Sequence, residues 1–230
     1  MKLSIIIPVL NSHEIVRRQM VHYSAMPLPP DVEVILVDDG SDPPIPQSMD
    51  RYINILRTHD TRPWTQPKAR NIGARAACGE FLLFTDIDHI VPEDSVKWCM
   101  DCQYDFSKFR RYLGVLDEFG RITQDRQVLE QYGVDRKKGL RVSCHTLSMV
   151  VRRDLFWETG GYREKLGKHP THDDGHMKKM LGRRVRRGEI TRCPDGHGED
   201  ERPVIYVFPN GRFGGSENHN PMGLFHSLQR

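Results

Sequence analysis

Phe81-Leu82-Leu83-Phe84-Thr85-Asp86-Ile87-Asp88-His89 is the stretch on which the reading of this chain turns. Four apolar residues run into two acids spaced one residue apart. On extended backbone, residues i and i+2 share a side, so both carboxylates can face one point. That point lies beyond the carboxyl end of a buried strand, where open α/β sheets place their ligands. Paired hard oxygens suit Mg²⁺ or Mn²⁺, and such ions commonly hold a substrate phosphate as well. An isolated Asp-x-Asp is more often two acids on a solvated loop, so the rest of the chain has to decide.

Working outward, the flanking segments alternate between strand and helix patterns. Leu3 to Val9 is an apolar, β-branched run that reads as a buried strand. Ser12 can cap a following helix carrying Ile15, Val16, Met20 and Val21. Val32 to Val37 reads as a second strand, ending in the acidic turn Asp38-Asp39-Gly40-Ser41-Asp42. Tyr52 to Leu56 reads as a third. Pro67 suits the first turn of a helix carrying Arg70, Asn71, Gly73 and Arg75. Phe81 to Thr85 is the fourth strand, and Pro92 opens a helix through Trp98. This alternation predicts an α/β fold with a mostly parallel sheet covered on both faces. From Asp101 to Arg141 the pattern weakens. Val142 to Val151 reads as one strand containing Cys144, His145 and Ser148, with His145 expected to be a half-buried, hydrogen-bonded side chain. Asp154 is expected to cap a helix that Gly160-Gly161 stops. Thr171-His172-Asp173-Asp174 is expected to precede a basic helix from Lys178 to Arg187. Val204 to Phe208 is the last strand, and the tail reads as a loop over the site.

Composition narrows the class. The chain has 230 residues, 37% hydrophobic and 28% charged, with a formal net charge of +3. That suits a soluble globular protein and is too small a charge to argue for nucleic acid. No apolar run reaches membrane-spanning length, and the start resembles a first strand, not a signal peptide. Five cysteines, an odd number, are expected to be reduced thiols in a cytoplasmic protein. Cys99-Met100-Asp101-Cys102 lacks the second pair that a zinc site would want, so structural thiols on a helix are expected.

Six segments then resemble, in order, a family 2 glycosyltransferase of the GT-A fold. They are Ser4-Ile5-Ile6-Ile7-Pro8-Val9-Leu10-Asn11, Val34 to Ser41, Ala69-Arg70-Asn71-Ile72-Gly73 with Gly79-Glu80, Asp86-Ile87-Asp88, Ser148 through Arg153 with Gly160-Gly161-Tyr162-Arg163-Glu164, and Asp173-Asp174. The resemblance implies a single GT-A domain over 1–230, with a Rossmann-like sheet flanked by helices. Residues 1–100 would form the nucleotide-sugar-binding half and 101–230 the acceptor half with its tail loop. It implies an inverting, metal-dependent hexosyltransferase that moves a sugar from a nucleotide-sugar, a UDP-sugar, to an acceptor hydroxyl. Pro8, Leu10, Asp39, Arg70 and Asp86 would bind the donor, and Asp86 and Asp88 the metal. Asp173-Asp174 takes the place of the family's catalytic Glu-Asp pair, so Asp174 would be the base. Where that family often has a histidine ligand, this chain reads Val207-Phe208-Pro209. His219 from the tail is the expected replacement, with His226 as its alternative.

Read from the residues alone, either Asp38 or Asp39 could bond its own turn while the other accepts from a pyrimidine N–H. Arg70 could reach a diphosphate, or be a surface arginine as most helical arginines are. The basic stretch 178–187 could draw an anionic acceptor, yet Met180, Leu181 and Val185 can face a core, and no aromatic residues interleave. Acceptor glycans, protein hydroxyls and modified bases all remain open. The rival classes are a glycosyltransferase acting on modified DNA bases, a nucleotidyltransferase, and a non-catalytic sugar-nucleotide-binding module.

Overall fold

The computed structural model describes residues 1–60, 65–142, 148–164, 171–194 and 201–209, without the side chains of 171–174. The strands are β1 Leu3–Val9, β2 Val32–Asp38, β3 Ile53–Arg57, β4 Phe81–Phe84, β5 His89–Ile90, β6 Phe106–Lys108, β7 Arg110–Leu113, β8 Val115–Leu116, β9 Ile122–Thr123, β10 Arg141–Val142, β11 Met149–Arg152 and β12 Val204–Val207. The helices are α1 His13–Ala25, α2 Gln66–Ala76, α3 Glu93–Met100, α4 Arg126–Gln131, α5 Arg153–Glu158 and α6 Thr171–Arg186.

The main sheet has the order β3-β2-β1-β4-β11-β6. β1 to β4 are parallel, whereas β11 runs antiparallel to both β4 and β6. Every residue of β1 is buried because helices cover both faces of the sheet. Leu3, Ile5, Ile7 and Val9 enter one core with Val16 and Tyr23 of α1 and Val96 and Cys99 of α3. Ile6 enters the other, with Ala69 and Ala74 of α2, Leu155 and Phe156 of α5, and Met177 and Leu181 of α6. The result is the α/β architecture expected, with helices on both faces.

A second sheet, β10-β7-β12-β5, joins β7, from the region where sequence periodicity faded, to β5, β10 and the expected last strand β12; the hairpin β8-β9 lies in that same region. Their strands are two to four residues long, too short for an alternation to be legible. The expected strand over 142–151 divides. Arg141–Val142 pairs with β7 in the second sheet, and Met149–Arg152 joins the first; Cys144 and His145 lie outside the described residues. Met149 and Val151 pack into one core and Val150 into the other, the alternation of a central strand. Asp154 lies in the first turn of α5 instead of capping it, and is paired with Arg152.

Helix α6 includes Thr171 to Asp174 as its first turn, where they had been expected to precede it. Its buried spine is Met177 and Leu181, with Val185 half-buried below them. That is the i, i+4, i+8 spacing of one helix face. Lys178, Lys179, Arg183, Arg186 and Arg187 are exposed on the other side, while Arg184 pairs with Glu158 at 2.7 Å and Glu189 at 3.1 Å. Cys78, Cys99 and Cys102 are free thiols, and burial pushes the Cys102 thiol up to about 11, so little of it is thiolate at neutral pH. Among the described residues no helix is long and apolar enough to cross a membrane.

Gly73 sets how close α2 comes to the sheet. A Cβ there would stand 2.5 Å from Ile6 Cγ2 and 3.1 Å from Val37 Cγ2, both in the centre of the sheet. Gly73→Ala is expected to destabilise the protein by about 1–3 kcal/mol, because overpacking outweighs the helix propensity of alanine. Urea denaturation checks this; a stability gain would show that the sheet yields at no cost.

Candidate active site

Because β1 to β4 are parallel, their carboxyl ends at Val9, Asp38, Arg57 and Phe84 share one edge of the sheet. The residues singled out from sequence gather there. Pro8 is buried in β1 opposite Val37, and Leu10, just past the strand, accepts a 2.9 Å bond at its carbonyl from Ser12 Oγ. The loops after β1 and β2 are tied together. Asn11 N donates to Ser41 Oγ at 2.9 Å, and Asp42 N donates to Asn11 Oδ1 at 2.7 Å.

The two acids after β2 divide their work. Asp38 accepts from the backbone N–H of Ser41 at 2.8 Å and of Ile45 at 2.9 Å, so it holds its own turn. Asp39 has its backbone fixed by Val9 O, and its carboxylate accepts from the Thr65 hydroxyl. Only 7% of Asp39 is exposed. Burial pushes its carboxyl up to about 6, helped by the nearby Asp60 and opposed by Thr65, Thr58 and Lys68.

Asp86 sits beyond β4 and accepts from Arg70 Nη2 at 2.5 Å and from Gln66 Nε2 at 3.1 Å. Arg70 is not the surface arginine its helix might suggest. Its side chain is 1% exposed, and its guanidinium lies 5.3 Å from the centroid of the Tyr162 ring. Asp88 keeps a fifth of its side chain accessible. Burial and the neighbouring Asp86 carboxylate raise its pKa, while His89 and Arg111 pull it back. Thr85 to Asp88 therefore joins the two sheets, since β4 belongs to one and β5 to the other.

Donor atoms of Asp86, Asp88 and His89 all lie within 4.8 Å of one another. Two carboxylates at a sheet edge fit a hard divalent cation that leaves positions for phosphate and water. His89 is less suited. Its Nδ1 is 2.6 Å from Ser148 Oγ, and its Nε2 is 3.2 Å from Arg111 Nη1. Arginine can only donate, so that contact uses the Nε2 lone pair. The carboxylates are thus the two groups whose chemistry fits the ion.

Other expected residues fall differently. Asp173 and Asp174 head α6, with side chains outside the described residues, as are His219 and His226 entirely. The last strand does end at the metal pair, for Phe208 N donates to Asp88 O at 2.9 Å. Asp154 is remote: β11 is antiparallel, so Arg152 pairs with Phe81 at the far end of β4. Glu164 is held by Asn71 Nδ2 at 2.8 Å and Arg75 Nη2 at 3.0 Å. Gln66, Thr65 and Arg111 were not singled out from sequence, and Ser148 was read only as part of a strand and of the family-like segment. Gln66, immediately before the helix-opening Pro67, had a signal in its position; Arg111, on a four-residue strand, had none.

The fold and this edge define an α/β architecture of the GT-A type, and comparison with known proteins bears on it directly. The profile of glycosyl transferase family 2 matches residues 4–160, and the chain belongs to that family. A curated relative is the poly(ribitol-phosphate) β-N-acetylglucosaminyltransferase TarS of Staphylococcus aureus, 30% identical over 102 residues. That match covers 42% of this chain and only 18% of the relative. The crystal structure of TarS residues 1–349 with UDP-GlcNAc aligns with a TM-score of 0.54 at 18% identity, covering 90% of this chain and 58% of that one. A mannosyltransferase from Pyrobaculum calidifontis, in complex with GDP-Man and Mn²⁺, aligns at 0.51 and 18% identity, covering 88% and 56%.

The Asp39 environment yields a stability test. A carboxyl raised from 3.8 to about 6 destabilises the fold in its ionised form. The cost appears as pH rises through that window and is complete above it. Asp39→Asn is expected to stabilise the protein at pH 7.5 by up to about 3 kcal/mol, two pKa units at about 1.4 kcal/mol each. The gain should vanish near pH 4. Denaturant titrations of both proteins at the two pH values check it, and equal gains at both would show that ionisation is not the cause.

Proposed function

We propose that this glycosyltransferase moves a sugar from a UDP-sugar to an acceptor hydroxyl with inversion, using Mn²⁺ or Mg²⁺ held by Asp88 and Asp86. The observation that carries the reading is the carboxylate pair at the carboxyl edge, with Arg70 buried behind it. The cation would supply charge neutralisation for a leaving diphosphate. Arg70, fixed by Asp86 and Tyr162, would add positive potential on the same side.

Donor placement follows from strand order. Asp39 lies after β2, Leu10 after β1 and Asp86 after β4, on three adjacent strands. Two strand spacings are about 10 Å, the scale of a nucleoside diphosphate from base to phosphate. Asp39 would accept from the uracil N–H, and its bond from Thr65 orients the carboxylate for that contact. UDP-GlcNAc and GDP-Man are the ligands named for the similar structures; uracil and guanine both carry an N–H that a carboxylate can accept from, and the choice of UDP follows TarS, the relative that is also similar in sequence.

Inversion needs a base on the sugar face opposite the diphosphate. Asp174 is assigned that role, with Asp173 in support. They stand in the first turn of α6, where the helix dipole favours an anion. α6 packs through Met177 and Leu181 onto the cluster that contains Tyr162, which in turn flanks Arg70. The acceptor is assigned to the side of α6. Its exposed lysines and arginines suit an anionic acceptor chain of the kind named for TarS.

Release of UDP from UDP-sugars, measured with Mn²⁺ and again in excess EDTA, tests the reading. Activity is expected only with the metal, and Asp88→Ala is expected to abolish it. Full release in EDTA, or a preference for GDP- or ADP-sugars, would overturn the donor and metal assignments. For the base, Asp174→Asn is expected to bind donor normally while losing about 10²–10⁴ in kcat, the usual share of general-base catalysis. Wild-type turnover by that variant would remove Asp174 from the role.

A further inference from the structure

The loop that carries Asp88 is clamped from the side opposite Arg70, by a residue outside the site described above. Gln19 lies in the middle of α1 and is fully buried. Its Nε2 donates to His89 O at 2.7 Å and to Ile87 O at 3.2 Å, the carbonyls on either side of Asp88. The remaining carbonyls of the turn are also held. His89 N donates to Asp86 O at 3.0 Å, and Phe208 N donates to Asp88 O at 2.9 Å.

These bonds decide where the Asp88 side chain stands. A peptide unit is planar, so the backbone at one residue is set by the two planes that flank it. For Asp88 those planes carry Ile87 O and Asp88 O. Gln19 fixes the first and Phe208 the second. We propose that Gln19 is a positioning residue for the metal site: through the Ile87 carbonyl it sets the first of these planes, through the His89 carbonyl it holds the exit of the turn, and together these bonds place the Asp88 carboxylate for a divalent cation.

Two observations favour positioning over plain stabilisation. Gln19 Oε1 is buried without a partner among the described residues, so the amide sacrifices part of what its two bonds contribute. A second feature is the neighbourhood on α1. Arg18 donates to Leu116 O at 2.7 Å, and the His22 ring bridges Gly120 O at 2.8 Å and Val91 O at 3.0 Å. Arg18, Gln19 and His22 thus attach one rigid helix to the carbonyls of both chain segments that border Asp88 and β8-β9. A helix is a stiff reference, and carboxylates that bind metal are held by such outer contacts, whose loss commonly costs about 10- to 100-fold in metal affinity.

The inference rests on the metal reading of Asp86 and Asp88, and its test separates the two. Mn²⁺ is titrated into the full chain with UDP, following the spin-resonance signal of free Mn²⁺. UDP binding in EDTA is measured in parallel by calorimetry. Gln19→Met, of similar size but without donors, is expected to weaken Mn²⁺ about 10- to 100-fold while leaving metal-free UDP affinity within about twofold. Gln19→Asn keeps an amide one methylene short, perturbs folding less, and is expected to fall between. Wild-type Mn²⁺ affinity in a folded Gln19→Met, or in Gln19→Asn where the first does not fold, overturns the inference alone. A parallel loss of Mn²⁺ and metal-free UDP binding also overturns it, since that marks a general loosening. Failure of the wild-type protein to bind Mn²⁺ overturns the metal reading, and the inference with it.

Discussion

The ion pair between Arg70 and Asp86 governs how α2, the end of β4 and the turn after α5 meet. A guanidinium with 1% of its surface in water is tolerable only beside an opposite charge. Asp86 supplies it from the end of β4, so α2 must lie close over the sheet. Gly73, one turn further along, permits that approach. The second demand of a buried cation is a polarisable surface, and the Tyr162 ring provides one. Tyr162 is held in turn by Asn71, whose Nδ2 donates to Tyr162 O at 2.8 Å while its Oδ1 accepts from Tyr162 N at 3.0 Å. Gly160 and Gly161, both at positive φ, let the chain turn sharply enough after α5 to present Tyr162 there. Helix, strand end and glycine turn are therefore one device built around a single charge.

That device explains why some of the site was legible in sequence and some was not. Asp86 and Asp88 stood out because an apolar strand ends at them, a one-dimensional pattern. The parallel core was legible for the same reason, through the unbroken apolar runs of β1, β2 and β4. The division of labour between Asp38 and Asp39 was not, because both follow the same strand and differ only in which backbone N–H groups surround them. Arg70 was ambiguous since burial of a helical arginine depends on a partner 16 residues away. Of the second sheet only β12 was legible, as the last strand; β5, β7 and β10 are short and find their partners across long separations, not through local alternation.

The second sheet nevertheless matters to the site as much as the first. β5 begins at His89, directly after Asp88, and pairs with β12. The Asp-x-Asp turn thus hangs between two sheets, its entry fixed by β4 and its exit by β5. A turn anchored at both ends in this way has few backbone freedoms left, and the bonds to Asp86 O, Ile87 O, Asp88 O and His89 O remove most of those. Two carboxylates held close together repel one another unless a cation arrives, so the unliganded site stores unfavourable charge. The raised pKa of Asp88 has that cause, together with burial.

The two acids are not equivalent under that repulsion. Asp86 has a counter-charge in Arg70 and a further donor in Gln66, so its charge is compensated from within the protein. Asp88 has Arg111 as weaker compensation through a shared field, while His89, whose Nε2 lone pair Arg111 uses, stands 3.9 Å away. A divalent cation would therefore meet Asp86 already partly neutralised by Arg70, and would offset the burial that raises the Asp88 pKa. This asymmetry argues for Asp88 as the principal ligand and for Asp86 as the hinge between metal and Arg70. Arginine, aspartate pair and leaving diphosphate would then form one alternating chain of charge, which is the arrangement a departing anion needs in a site of low polarity.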